Sequence, residues 1–140
     1  MAEPLKARLS WQSGLRFVAH PDSGHELVID STGRKGHAGP SPVELLLIAV
    51  AGCTGMDVVY VLERMRTPLT GLEVEISGAR APSDPKYFTS MTLTYHARGN
   101  GLDLEKVERA VRLSHETYCS ALATVRPDCK ITSVVEVSEG

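Results

Sequence analysis

The chain has 140 residues, of which 42% are hydrophobic and 23% charged, and its net charge is −2 at pH 7. These values suit one globular domain, which we place at residues 1–140. They exclude the broad basic field that attracts nucleic acid or an anionic membrane, so we expect neither as a partner.

The chain begins with the pattern of a β-hairpin followed by a third strand. Apolar residues alternate over residues 7–11 and 15–19, and the intervening Ser13-Gly14 is a turn signal. Residues 25–30 contain Leu-Val-Ile, which predicts a strand. The glycine-rich residues 31–41 predict a loop.

A long apolar helix is predicted next. Ser41 is a candidate N-cap, Pro42 suits the first helical position, and Glu44 completes a capping box. The helix should end near Arg66, because Thr67-Pro68 stops it.

The middle of this helix is apolar on all sides, which predicts burial. Its uncharged stretch, residues 45–56, is shorter than the roughly 20 apolar residues needed to cross a bilayer. One protomer of this size supplies little material to cover such a helix. We therefore expect a homodimer in which the buried central helices are shared between subunits.

The rest of the chain predicts a hairpin, a second helix and a last strand. Residues 72–76 and 88–98 are the paired strands, and either Met91, Leu93 and Tyr95 or the alternate positions face inward. Asp103 caps the second helix, and residues 131–137 form the last strand. The apolar stripe of that helix is Leu104, Val107, Val111, Tyr118 and Leu122. The order βββ-α-ββ-α-β, with strands clustered in hairpins, predicts an α+β fold with antiparallel sheets.

The most specific chemical signal is a pair of cysteines in separate helical segments. Cys53 ends the apolar run of the first helix, and Cys119 lies in the second. They can form a redox couple if folding brings the two segments together. An odd cysteine count and the lack of a signal-peptide pattern favour free thiols in the cytoplasm.

These cysteines and the residues around the first helix resemble the OsmC/Ohr family of osmotically inducible and organic hydroperoxide resistance proteins. The matching features are Gly39-Pro-Ser-Pro42 before the helix, Ala51-Gly52-Cys53 within it, and Cys119 late in the second segment. The sequence is most similar to the YhfA-like branch. The resemblance implies an intertwined α+β dimer with active sites at the subunit interface.

The resemblance also implies a two-cysteine peroxidase without a cofactor. Cys53 matches the peroxidatic cysteine and Cys119 the resolving one. The substrate would be an organic hydroperoxide, and an external dithiol of lipoyl type would reduce the resulting disulfide. Cys129 matches no family cysteine, so we interpret it as structural.

In the better known branches, a glutamate and an arginine assist the peroxidatic thiol. Their glutamate directly follows the proline, whereas here Val43 lies between Pro42 and Glu44. We take Glu44 as the candidate glutamate, although it also suits the capping box. Arg34, in the loop before the helix, is preferred over Arg16 as the arginine. The further cations of that loop are Lys35 and His37.

Other functions use the same residues differently. The protein is alternatively a non-catalytic binding or redox-sensing protein that holds a small apolar ligand at the dimer interface, or a structural dimer with inert thiols. A metal site would combine His115 and Cys119 with Cys129, His96 or His37. The sequence has no Cys-x-x-Cys or His-x-x-His pair, so we expect no metal.

Overall fold

The computed structural model describes residues 3–140 and has a mixed α+β architecture. The elements are β1 (Ala7–Ser13), β2 (Arg16–Pro21), β3 (Leu27–Ile29), α1 (Pro42–Arg64), β4 (Gly71–Arg80), β5 (Phe88–Arg98), α2 (Leu104–Leu113), a π-helical turn (Ser114–Tyr118), α3 (Ser120–Thr124) and β6 (Lys130–Ser138). The predicted fold class is confirmed. Two compact units divide the chain after Leu46, within α1.

The first unit contains the antiparallel sheet β1-β2-β3. The hairpin turn lies at Gly14-Leu15, one residue later than predicted. Gly14 has a φ of 52°, which a residue without a Cβ adopts readily. Large apolar side chains of this hairpin, Leu9, Trp11 and Leu15, are 49–65% exposed.

The loop after β3 is organised by the buried carboxylate of Asp30. Its Oδ2 accepts hydrogen bonds from Arg16 Nε and from the Ala38 N–H, both at 3.0 Å, and its Oδ1 accepts one from the Ser31 N–H at 2.8 Å. These bonds favour the charged form, so the pKa of Asp30 lies below its ordinary value. The predicted loop is confirmed, and the Asp30 carboxylate bonds to its backbone at both Ser31 and Ala38.

The predicted capping box starts α1. Ser41 Oγ accepts from the Glu44 N–H at 3.1 Å, and Glu44 Oε1 accepts from the Ser41 N–H at 2.9 Å. The helix is unbroken to Arg64, and Arg66 follows with a φ of 57°. It therefore ends two residues earlier than expected.

Within one protomer, α1 buries only part of its surface. The buried residues are Val50, Thr54, Gly55, Val58, Val61 and Leu62. In contrast, Leu46, Ile48, Met56 and Tyr60 are 56–76% exposed. By length and composition alone α1 would suffice to cross a membrane, a test that core helices of globular proteins also pass.

The second unit is built on the sheet β4-β5-β6. β4 and β5 form the predicted antiparallel hairpin, whereas β6 pairs with β5 in parallel, with Met91 opposite Ile131. The helical connection between β5 and β6 allows this parallel pairing. Of the two alternatives for β5, the set Met91, Leu93 and Tyr95 faces the core, with each residue at most 2% exposed.

The second helical segment is not the single helix that we expected. α2 ends at Leu113, the π-helical turn follows, and Cys119 is extended (φ −73°, ψ 104°) before α3 begins. The interruption changes which face points inward. Val107 and Val111 are buried as predicted, but Tyr118 is 56% exposed and Leu104, at the start of α2, is 42% exposed.

A histidine links all three strands of the second sheet. His96 on β5 contacts Glu75 on β4 through Nε2, at 2.5 Å, and Glu136 on β6 through Nδ1, at 2.7 Å. The hydrogen bond to Glu75 contributes most to raising the pKa of His96 above its ordinary value, and Glu136 adds to it.

This arrangement predicts a pH-dependent contribution to stability. Because the pKa of His96 is higher in the folded protein than in the unfolded chain, where it is about 6.5, the stabilisation is fully present below that pH. It is lost as the pH rises through the folded-state pKa. Urea unfolding of wild type and His96→Gln should therefore differ most below about pH 6 and converge at higher pH. His25→Gln, at an exposed position, is the control, and identical pH profiles for wild type and His96→Gln would contradict the prediction.

Candidate functional site

The second unit brings the two cysteines of the predicted redox pair together. Cys53 lies on α1, and Cys119 lies at the break between the π-helical turn and α3. Their Sγ atoms are within 4.8 Å of each other, and both thiols are free. A disulfide requires a sulfur–sulfur distance of about 2 Å, so a side-chain movement of up to about 3 Å would close the bond.

Local structure holds the Cys119 sulfur more firmly than the Cys53 sulfur. Gly55 lies against β4, and a Cβ there would lie 3.4 Å from Val74 Cγ2, at the limit of ordinary van der Waals contact. Cys119 is the N-cap of α3, and its Sγ accepts a hydrogen bond from the Leu122 N–H at 3.3 Å. Cys119 is therefore held by the backbone of the helix that it starts, whereas Cys53 is half-buried on a long helix.

The environment of Cys119 disfavours negative charge on its sulfur. Burial is the main cause that raises the pKa of Cys119 to about 11, and the adjacent Cys53 contributes to this rise. The bond from the Leu122 N–H acts in the opposite direction. At neutral pH Cys119 is therefore a protonated thiol.

A carboxylate that the sequence analysis missed adjoins both sulfurs. An oxygen of Asp57 lies within 4.8 Å of both Sγ atoms, and Asp57 Oδ2 accepts a hydrogen bond from Ser114 Oγ at 2.8 Å. Asp57 follows Cys53 by four positions, so both lie on one face of α1. That spacing is the signal that identifies Asp57 in the sequence.

A chain of hydrogen bonds connects Thr54, the neighbour of Cys53 on α1, with Tyr95 and His115. Tyr95 Oη donates to Thr54 Oγ1 at 2.9 Å, and Thr54 Oγ1 donates to the Ala51 carbonyl at 3.3 Å. Tyr95 Oη also lies 2.8 Å from His115 Nε2. Because Tyr95 already uses its proton, His115 Nε2 must donate here. Burial lowers the pKa of His115 and raises that of Tyr95 to about 12, so both are neutral.

Five further candidates from the sequence belong to the first unit. Arg34, Lys35 and His37 are exposed in the loop of the first unit, and Arg16 pairs with Asp30. Glu44 occupies the capping box, and a continuous helix separates it from Cys53 by about 13 Å along its axis. Within residues 3–140, the metal-ligating groups that converge are those of Cys53, Asp57 and Cys119, and His115 is not among them.

An open apolar groove borders the exposed face of α1. Its volume is about 750 Å³. Small and apolar residues of α1 line it together with alternate residues of β4: Ile48, Gly52, Met56, Tyr60, Val74 and Ile76. An uncovered apolar surface of this kind is typical of an interface or a binding site for an apolar molecule.

The Tyr95 hydroxyl predicts a measurable contribution to stability. Tyr95→Phe leaves His115 without its acceptor and removes a bond to Thr54 in a buried setting. We expect a loss of about 1–3 kcal/mol in the free energy of unfolding, measured with urea. Tyr118→Phe, at a 56% exposed position, is the matched control and should change little. Equal effects of the two substitutions would contradict this role of the buried hydroxyl.

Comparison with known proteins gives a consistent result. The family model described as OsmC-like protein matches residues 33–134. Protein YhfA of Escherichia coli K12 is 36% identical over 133 residues, which cover 95% of this chain and 98% of that protein. A crystal structure of a hypothetical protein from Aquifex aeolicus VF5 has a TM-score of 0.89 at 29% identity, with 99% of each chain covered. The organic hydroperoxide resistance protein OhrB of Bacillus subtilis shares the fold, with a TM-score of 0.70 at 20% identity and coverage of 96% and 98%.

Proposed function

The chain belongs to the OsmC-like protein family, and from this premise we propose that it is a thiol-dependent peroxidase that reduces organic hydroperoxides with Cys53 and Cys119. The observation that carries the proposal is the separation of the two sulfurs, which is at most 4.8 Å although the residues are distant in sequence. Structural relatives that are named organic hydroperoxide resistance proteins support the choice of substrate class.

The proposed reaction balances in two steps. The Cys53 thiolate attacks the hydroperoxide, the O–O bond breaks, and the leaving alkoxide takes a proton to become an alcohol. Cys53 is then a sulfenic acid. The sulfur of Cys119 attacks it, the S–S bond forms, and the hydroxyl leaves with the Cys119 proton as water. An external dithiol, which we propose to be of lipoyl type, returns both thiols by exchange.

The different surroundings of the sulfurs support this division of roles. Cys53 is half-buried and so is open to a substrate, whereas Cys119 is 5% exposed. The raised pKa of Cys119 keeps it a thiol, which reacts with peroxide slowly. Cys119 therefore suits the role of a resolving group that acts only once Cys53 is oxidised.

We also propose that the active form is a cytoplasmic homodimer and that residues 1–140 act as one domain in it. The exposed face of α1 and the exposed apolar side chains of the β1-β2 hairpin support a partner subunit. In this proposal the Arg34 guanidinium, paired with the Glu44 carboxylate, assists thiolate formation at Cys53. Neither residue belongs to the compact unit that holds both cysteines, so their participation rests on the family resemblance.

Oxidation of the reduced protein tests the cysteine pair. A slight excess of cumene hydroperoxide should remove two thiols per chain, and peptide mass spectrometry should find a Cys53–Cys119 disulfide. Cys53→Ser should abolish peroxide consumption, because it removes the attacking sulfur. Cys119→Ser should still consume one equivalent and leave a sulfenic acid that dimedone traps.

Cys129→Ser is the matched control, since Cys129 is also a buried free thiol, 7% exposed. It should retain the full reaction. Unchanged thiols in the wild type would reject the peroxidase and favour an apolar ligand in the α1 groove. A disulfide to Cys129 would reject the chosen pair. Rates for Arg34→Ala and Glu44→Gln equal to the wild-type rate would exclude both residues from thiolate activation.

Analytical ultracentrifugation tests the dimer. Wild type should sediment with about twice the mass of one chain. Met56→Asp places a charge on the exposed face of α1, at a 76% exposed position, and should shift the protein toward monomer. Leu104→Asp, at a 42% exposed position on α2, should remain a dimer. A monomeric wild type, or dissociation caused equally by both substitutions, would contradict the assigned interface.

A further inference from the structure

Three metal-ligating groups converge at the cysteine pair. Cys53 Sγ, Cys119 Sγ and a carboxylate oxygen of Asp57 all lie within 4.8 Å of one another. Cys119 is buried, and the other two residues are half-buried. Two residues come from one face of α1, and the third comes from the break before α3, so the set depends on the fold rather than on a sequence motif.

The Asp57 carboxylate is an unfavourable neighbour for a nucleophilic thiol. A neighbouring negative charge opposes the formation of a thiolate, whereas an activated cysteine needs a cation nearby. Among the ion pairs formed within residues 3–140, none includes Asp57. Its bond from Ser114 Oγ comes from a neutral group. Two thiols and an uncompensated carboxylate together form a set of donors that a cation would neutralise.

We propose that Cys53, Asp57 and Cys119 form a binding site for Zn²⁺ in the reduced protein. Cysteine sulfur and carboxylate oxygen are both ligands that Zn²⁺ takes in proteins, and water would complete a tetrahedron. Zinc–sulfur bonds of about 2.3 Å place two ligating sulfurs about 3.8 Å apart in a tetrahedral site. The observed upper limit of 4.8 Å is close to this value, so small side-chain rotations complete the site.

Outer contacts that orient the ligands are already present. The Ser114 hydroxyl holds Asp57 Oδ2 at 2.8 Å, and the Leu122 N–H holds Cys119 Sγ at 3.3 Å. Such bonds fix the direction of metal ligands and tune their affinity. On binding, the two thiols release their protons to solvent and become thiolates.

The site does not depend on the proposed peroxidase activity, although it uses the same sulfurs. A bound Zn²⁺ occupies both thiolates, so a metal-bound state and a Cys53–Cys119 disulfide exclude each other. The oxidation state of the pair would then decide whether metal is held or released.

A cobalt titration tests the site on the full chain, reduced, treated with a chelator and kept free of oxygen. We expect one equivalent of Co²⁺ to produce the sulfur-to-cobalt charge-transfer absorption together with the visible bands of tetrahedral cobalt. Zn²⁺ should displace it. Cys53→Ser and Cys119→Ser should lose or strongly weaken the charge-transfer band, and Asp57→Asn should lower the affinity by about tenfold or more. Cys129→Ser should behave as wild type.

Each alternative outcome overturns a part of the proposal. An absent band in the wild type, or an undiminished band in Cys53→Ser, rejects the site, and dependence on Cys129 assigns the metal elsewhere. An unchanged Co²⁺ affinity in Asp57→Asn shows that Asp57 is not a ligand. Circular dichroism checks that each variant is folded. If Cys119→Ser is unfolded, the result for Cys53→Ser, at a half-buried position, decides whether the proposed site exists. Peroxide oxidation is measured with chelator present, so a failed peroxidase test and a failed metal test are separate results.

Discussion

The site depends on the buried hydrogen bonds of Tyr95, which tie three elements together at one point. The Tyr95 hydroxyl on β5 contacts Thr54 on α1 and His115 in the π-helical turn. Thr54 adjoins Cys53, and the π-helical turn leads directly to Cys119. Thr54 and Tyr95 are fully buried, so water does not compete for the bond between them, and the network joins α1, β5 and the π-helical turn next to the two cysteines.

The sequence predicted those features that local chemistry determines. The capping box of Ser41 and Glu44 and the strand boundaries of β5 are such features, because turn and cap signals act over a few residues. The pairing of Cys53 with Cys119 was a hypothesis from their positions in two helical segments, to which the resemblance added their roles, and the fold brings the sulfurs within 4.8 Å of each other.

Features that long-range packing determines could not be predicted from the sequence. No Gly or Pro directly precedes the break at Cys119 to mark it in the sequence. The π-helical turn depends instead on the contacts of Ser114 with Asp57 and of His115 with Tyr95. The parallel pairing of β6 depends on where the helical connection returns the chain. Asp57 was visible only as a spacing from Cys53, and its meaning required the position of the second sulfur.

The exposed apolar face of α1 also affects the newly synthesised chain, before its cysteines are oxidised. A newly synthesised chain presents Leu46, Ile48, Met56 and Tyr60 to water as soon as α1 forms. Burial of this surface in the proposed dimer then competes with aggregation, and the outcome depends on the local concentration of chains and on how quickly they meet.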